Sequence, residues 1–143
     1  MDERENPSQG FTLLEHTADA GVRAWGRTRE EMFINLSGGF YTLALDQTLI
    51  EGETELTYTV RGAGDEELLV GFIKELLYFL ETRNFVADYL QLDFSQPGEL
   101  HVKGIFGRIR ATHVRHEIKS PTYHGLRVQR EPGRWQVEMY FDL

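Results

Sequence analysis

Two acidic residues frame this chain of 143 residues. Asp19 stands in the run His16-Thr17-Ala18-Asp19-Ala20-Gly21, and Asp142 stands in the final Phe141-Asp142-Leu143. Acidic groups held on rigid elements are either paired with cations or bind a metal. Asp19 sits in a turn before a strand, where the commoner use of an aspartate is to bond its own backbone two residues on. The alternative needs a second carboxylate nearby. Asp142, with the α-carboxylate of Leu143 beside it, could complete such an oxygen set for a hard divalent cation. Separation in the chain leaves open whether they meet.

The other chemistry-bearing residues are less specific. His16 could serve as a general base or support a ligand, but such a histidine more often bonds backbone. His113 and His116 fall on opposite faces of any strand, and no HExxH or tight zinc spacing occurs. The chain has no cysteine, which excludes disulfides, thiolate zinc sites and cysteine nucleophiles. It also lacks GxxxxGK[ST], a helix-opening GxGxxG and GxSxG, so no self-sufficient catalytic apparatus is visible in the motifs. Arg108, Arg110, His113, Arg115 and His116 form a local basic cluster, most simply a solvated loop.

The elements that must position Asp19 and Asp142 follow from periodicity. Phe11 to Glu15 and Gly21 to Gly26 read as strands on either side of the Asp19 turn. Thr28 can cap a helix, with Glu31 three residues on, and Met32, Phe33, Leu36, Phe40 and Leu43 recur at helical spacing. The pair Gly38-Gly39 weakens that helix and offers another element a close approach. Glu53 to Val60 alternates as a strand. Asp65 can cap a second helix with the widest apolar stripe, from Leu68 to Leu80, expected to cover a sheet. Further strands are expected over Val86 to Phe94, Glu99 to Ile109, His116 to Ser120, Leu126 to Gln129 and Arg134 to Asp142. In the last, Trp135, Val137, Met139 and Phe141 share one face, and Gln136, Glu138, Tyr140 and Asp142 share the other. The alternation runs to Phe141, so this end is expected to be held in the fold.

Two helices among many strands, without regular alternation, indicate an α+β fold: one domain over 11–143, a mixed, mostly antiparallel sheet packed with two main helices. Residues 1–10 are expected to be a flexible N-terminal tail. The formal net charge of −8 disfavours gripping RNA unaided and suits a basic protein partner or cations. No apolar run approaches the roughly 20 residues of a membrane span, and no membrane partner is expected. The absence of cysteine fits a cytoplasmic protein.

Four segments carry a more specific signal. They are Glu15-His16-Thr17-Ala18-Asp19-Ala20-Gly21 with Ala24-Trp25-Gly26; Lys74-Glu75-Leu76-Leu77-Tyr78; Glu117-Ile118-Lys119-Ser120-Pro121-Thr122-Tyr123-His124-Gly125-Leu126; and Phe141-Asp142-Leu143. In this order and spacing the chain resembles the archease family, from about Phe11 onward. The resemblance implies a partner that is not itself an enzyme. Archeases promote guanylylation and multiple turnover of the RNA-splicing ligase, which joins a 2′,3′-cyclic phosphate or 3′-phosphate end to a 5′-hydroxyl. RNA would be met only through that ligase, in tRNA splicing or RNA repair. The family's metal ligands match Asp19, Asp142 and Leu143, with calcium as the expected ion and magnesium or manganese as alternatives. Lys119, Tyr123, His124 and His16 would be supporting groups. Where family members often carry Ala-Val, this chain has Ser120-Pro121, and proline there puts the strand at an edge or interrupts it. Two other readings stay open: a chaperone-like protein-binding scaffold, and a stand-alone metal-dependent hydrolase acting through Asp19 and His16.

Overall fold

The computed structural model describes residues 9–15, 19–47, 50–109 and 113–143. Ten strands and two helices follow in the order β1 (Phe11–Leu14), β2 (Ala20–Gly26), α1 (Arg29–Ala44), β3 (Leu45–Gln47), β4 (Ile50–Arg61), α2 (Asp65–Arg83), β5 (Phe85–Asp93), β6 (Glu99–Ile109), β7 (His113–Val114), β8 (Ser120–Pro121), β9 (Arg127–Glu131) and β10 (Arg134–Asp142). Every ladder with a resolved register is antiparallel. The fold is of the expected α+β class. The described chain divides into two compact units, Met1–Leu45 with Val114–Leu143, and Asp46–His113.

In the first unit the strands run β1-β2-β10-β8, with β9 also paired to β10. Strand β10 is thus central: β2 lies along one side, while β9 and then β8 share the other. Its alternation is the expected one. Val137 and Met139 are fully buried and Phe141 nearly so, while Glu138 and Tyr140 are half-buried and Asp142 is exposed. Helix α1 starts where the side chain of Thr28 accepts from the Glu31 N–H at 3.1 Å, supplying one of the partners a helix start lacks. Met32, Phe33, Leu36, Phe40 and Leu43 are wholly buried. Gly39 is what lets the helix settle: a Cβ there would stand 2.4 Å from Cγ1 of Val22 and 3.2 Å from the Phe11 ring. Gly10, from the expected tail, accepts from the Trp25 N–H at 2.9 Å.

In the second unit α2 packs on the sheet β4-β6-β5. Leu69, Phe72, Ile73 and Leu76 are fully buried, as are Leu100 and Phe106 on β6. Two local expectations need correction. Asp65 does not cap α2; Gly64 occupies the cap position without a side-chain bond. Glu67 reaches back instead and accepts from the Ala63 N–H at 2.9 Å, leaving Asp65 in the first turn. The expected strand over His116 to Ser120 shrinks to Ser120–Pro121. Arg115 and His116 turn their N–H groups to the Ala44 carbonyl, and the chain joins the edge of β10 only at Ser120. Pro121, lacking an N–H, is tolerated on that edge.

Candidate functional site

The site grows from the register of β2 against β10. The pairs run from Trp135↔Gly26 to Phe141↔Ala20; Asp19 precedes β2 by one residue and Asp142 ends β10, so the same register continued by one step would set them opposite. Opposed residues of an antiparallel ladder have Cα atoms about 4.5–5.5 Å apart and project from the same face. Both aspartates are exposed. Among the described residues neither has a cation within ion-pair distance.

Asp142 is held from the other side too. It pairs with Ser120, and its carbonyl accepts from the Lys119 N–H at 2.8 Å. A carboxylate that two neighbouring strands fix in place costs less further ordering when it engages a ligand.

Tyr140 shares the face of Asp142 one step back. Its ring lies across β2 because Gly21 has no side chain: a Cβ there would come 2.7 Å from Cδ1. Gly125, at φ +70°, closes on the ring's other edge, and a Cβ there would come within 3.1 Å. The Tyr140 hydroxyl donates to Oε1 of Glu138 at 3.3 Å. Arg23 and Arg127 approach the second oxygen of Glu138 at 3.5 and 3.4 Å. Burial pushes the Tyr140 phenol above its ordinary range, and the negative charges of Glu138 and Asp19 add to this, against a smaller opposing effect of Arg23. Glu138 on this face is thus met by two guanidiniums, while among the described residues Asp19 and Asp142 have none.

Of the other candidate residues, Lys119 touches the site through its backbone, and its side chain is exposed. Tyr123 and His124 lie on the exposed turn that leads to Gly125, where the Tyr123 carbonyl accepts from Leu126 N–H. Leu143 follows Asp142 and is exposed. His16 lies outside the described residues. Among the described residues no group of three or more His, Asp or Glu side chains is placed to hold a metal ion.

The basic cluster proves to be several separate things. Arg115 donates to Oε1 of Glu15 at 2.6 Å. Nε2 of His116 lies 2.7 Å from the other oxygen of Glu15, and since an ionised carboxylate only accepts, that nitrogen carries the proton. Arg108 lies over the Phe85 ring in the second unit, 5.8 Å from its centre. Arg110 lies outside the described residues. Glu15 opens the first of the four motif segments but has no assigned role there, and Glu138 and Tyr140 lie in no motif. Only the two-residue period of β10 pointed to the latter two.

The description of the Archease protein family (MTH1598/TM1083) matches residues 11–143. Among relatives, the chain is similar to the protein archease of Methanosarcina mazei, with 32% identity over 96% of this chain and 99% of the relative. It is also similar to that of Methanopyrus kandleri, with 30% identity over 91% and 96%. The solution structure of Methanobacterium thermoautotrophicum protein 1598 superposes with a TM-score of 0.74 at 25% identity, covering 94% of this chain and 99% of that one. The crystal structure of a Thermotoga maritima archease, described as a possible chaperone, shares the fold with a TM-score of 0.69 at 21% identity, covering 91% and 94%. Among the described residues no helix is long and apolar enough to cross a membrane. With residues 11–143 matched by the family and a relative 32% identical over 96% of this chain, the chain belongs to the archease family.

Proposed function

We propose that this archease activates the RNA-splicing ligase, promoting its guanylylation and multiple turnover in tRNA splicing or RNA repair. The observation that supports this reading is that two exposed carboxylates, Asp19 and Asp142, stand one residue beyond the last β2–β10 pair, with no ion-pair partner among the described residues. The chain acts as a protein partner in the cytoplasm and not as an enzyme. It offers no phosphate-cradling loop and no recognisable nucleophile, and it meets RNA for joining through the ligase.

The donor chemistry fits a hard divalent cation, calcium first, with magnesium or manganese as alternatives. Asp19, Asp142 and the α-carboxylate of Leu143 would hold it, an all-oxygen set of which only two members are side chains. Such an ion, when bound, neutralises charge near transferring phosphates. The protein's own part is positional. Ser120 and the Lys119 N–H hold the end of β10, Tyr140 packs between Gly21 and Gly125, and the exposed Lys119, Tyr123 and His124 side chains form the rim that meets the ligase, with His16 as a further supporting group.

The test is formation of the ligase–GMP adduct with time. Wild-type protein is expected to accelerate it at substoichiometric amounts. Asp19→Ala and Asp142→Ala should each abolish the effect while melting no lower than wild type, because removing one of two facing carboxylates relieves repulsion. Full stimulation by both folded variants would overturn the carboxylate mechanism and favour a metal-free scaffold, the reading closer to the chaperone description of the Thermotoga protein. Turnover of a substrate without ligase would favour a hydrolase.

A further inference from the structure

The end of the first unit remote from Asp19 and Asp142 has the opposite character. Strand β2 ends there at Trp25-Gly26, and β10 begins there at Arg134-Trp135, so both tryptophans of the chain gather at this end. Four arginines surround them. The Arg130 guanidinium lies over the Trp135 ring at 4.6 Å and Arg29 at 6.0 Å, while Arg134 lies over Trp25 at 5.2 Å. Arg27 follows Gly26 at the same end. Arg27, Arg130 and Arg134 are exposed, and among the described residues none has a carboxylate partner. Arg134 spends one donor on the Gln136 amide oxygen, at 2.9 Å. Beside Arg27 and Arg134 opens a polar cleft of about 530 Å³, lined also by Gly10, Trp25, Glu31 and Asn35; Arg130 and Trp135 stand outside it, on the other face of the β2–β10 pair. The Asn35 amide is fixed by donating to the Trp25 carbonyl at 2.7 Å.

In a chain of net charge −8, three exposed guanidiniums at one end, without a carboxylate partner among the described residues, are a local exception. Indole faces hold two of them, which limits the ordering a ligand would have to impose. A stacked guanidinium offers a planar donor fork that matches a phosphate and a flat surface that matches a base. The cleft lies in the size range of small-ligand sites, large enough for one nucleotide unit and too small for a duplex. An acidic peptide would satisfy the charge but leave the flat stacked surfaces unused. We propose that this arginine–tryptophan end binds single-stranded nucleic acid that passes round the end of the sheet, with phosphates on Arg27 and Arg134 at the cleft and on Arg130 beyond it, and a base against a stacked guanidinium. This is a direct contact, separate from the carboxylate end and independent of any ligase.

The probe is a short oligouridylate titrated into the isolated full chain. Because both tryptophans lie at this end, their emission reports on it directly. Emission is expected to change saturably, with a dissociation constant on the order of 10–100 µM at physiological salt. Affinity should fall with salt with a logarithmic slope of about −2, from roughly 0.7 per phosphate contact. The double variant Arg130→Glu/Arg134→Glu should lose binding at least tenfold. Arg130→Lys/Arg134→Lys should keep the salt slope and lose most of the emission change. Lys74→Glu/Lys103→Glu, an equal charge change on exposed positions of the second unit, should bind like wild type. The proposal is overturned if emission and fluorescence anisotropy of labelled RNA both stay flat at low salt, if the folded charge-reversed variant binds like wild type, or if polyglutamate binds as tightly as oligouridylate. None of these outcomes bears on ligase guanylylation.

Discussion

Single contacts of a few tenths of an ångström decide how the carboxylate end is built. The Tyr140 ring can lie across β2 only because residue 21 is glycine. Gly21→Ala would force a Cβ to 2.7 Å from the ring. Overpacking of this kind costs about 1–3 kcal/mol, so Gly21→Ala should lower the urea midpoint and, by displacing Tyr140, weaken ligase stimulation. Asp93 supplies a pH test at the same scale. The Ser95 hydroxyl and then the Ser95 N–H, with His101 adding less, hold its carboxyl below the usual aspartate range. A depressed carboxyl contributes stability above its unfolded value of about 3.9, and that contribution is lost as pH falls through the lower folded value. An NMR titration should therefore find Asp93 ionising below ordinary aspartates. Ser95→Ala should bring it upward; no movement would show that the turn does not set the shift.

Among the elements, α1 carries a conflict between local and tertiary demands. Gly38 and Gly39 weaken the helix by about 1 kcal/mol each relative to alanine. Gly39→Ala would recover that amount locally. It would also drive a methyl to 2.4 Å from Val22, which is wholly buried and cannot retreat. The overpacking cost, about 1–3 kcal/mol, is the larger, so Gly39→Ala should destabilise. Gly38→Ala meets the Phe11 ring only at 3.4 Å and should be neutral or stabilising. Thermal melts of the two variants should separate in opposite directions. At the same helix, Thr28→Ala removes the bond to Glu31 N–H and should cost about 1 kcal/mol.

For the whole molecule, the arrangement of charge matters more than its sum. The net charge of −8 predicts that a basic partner is drawn in over a distance and that salt screens the attraction. Association with the ligase, followed by stopped-flow, should slow as ionic strength rises, with dissociation changing less. An on-rate indifferent to salt would argue against an electrostatically steered complex. The same protein is expected to show the reverse polarity at its arginine–tryptophan end.

Much of the architecture was legible from local physics. Two-residue alternation placed β6 and β10 over their observed spans, because the faces of a strand differ in burial wherever a sheet has one covered side. The 3.6-residue stripe and the Thr28 cap placed α1, since capping and helical spacing act within a few residues. Local chemistry misled at Asp65, where Glu67 took over the cap's work by reaching back to Ala63, and at 116–119, where N–H groups near by found Ala44 instead of a strand. The motifs marked Asp19 and Asp142 as residues of interest. What brings the ends of β2 and β10 beside each other is the register of β2 on β10, a pairing between distant parts of the chain that no local spacing encodes. The same holds for Glu15 with Arg115 and His116, which apart read as one acid and part of a basic loop. It holds also for the two tryptophans and their arginines, drawn from three segments onto one end of a sheet. Side-chain type is a property of the sequence; which unlike charges, rings and carboxylates become neighbours is set by long-range strand pairing, and only the tertiary structure determines that.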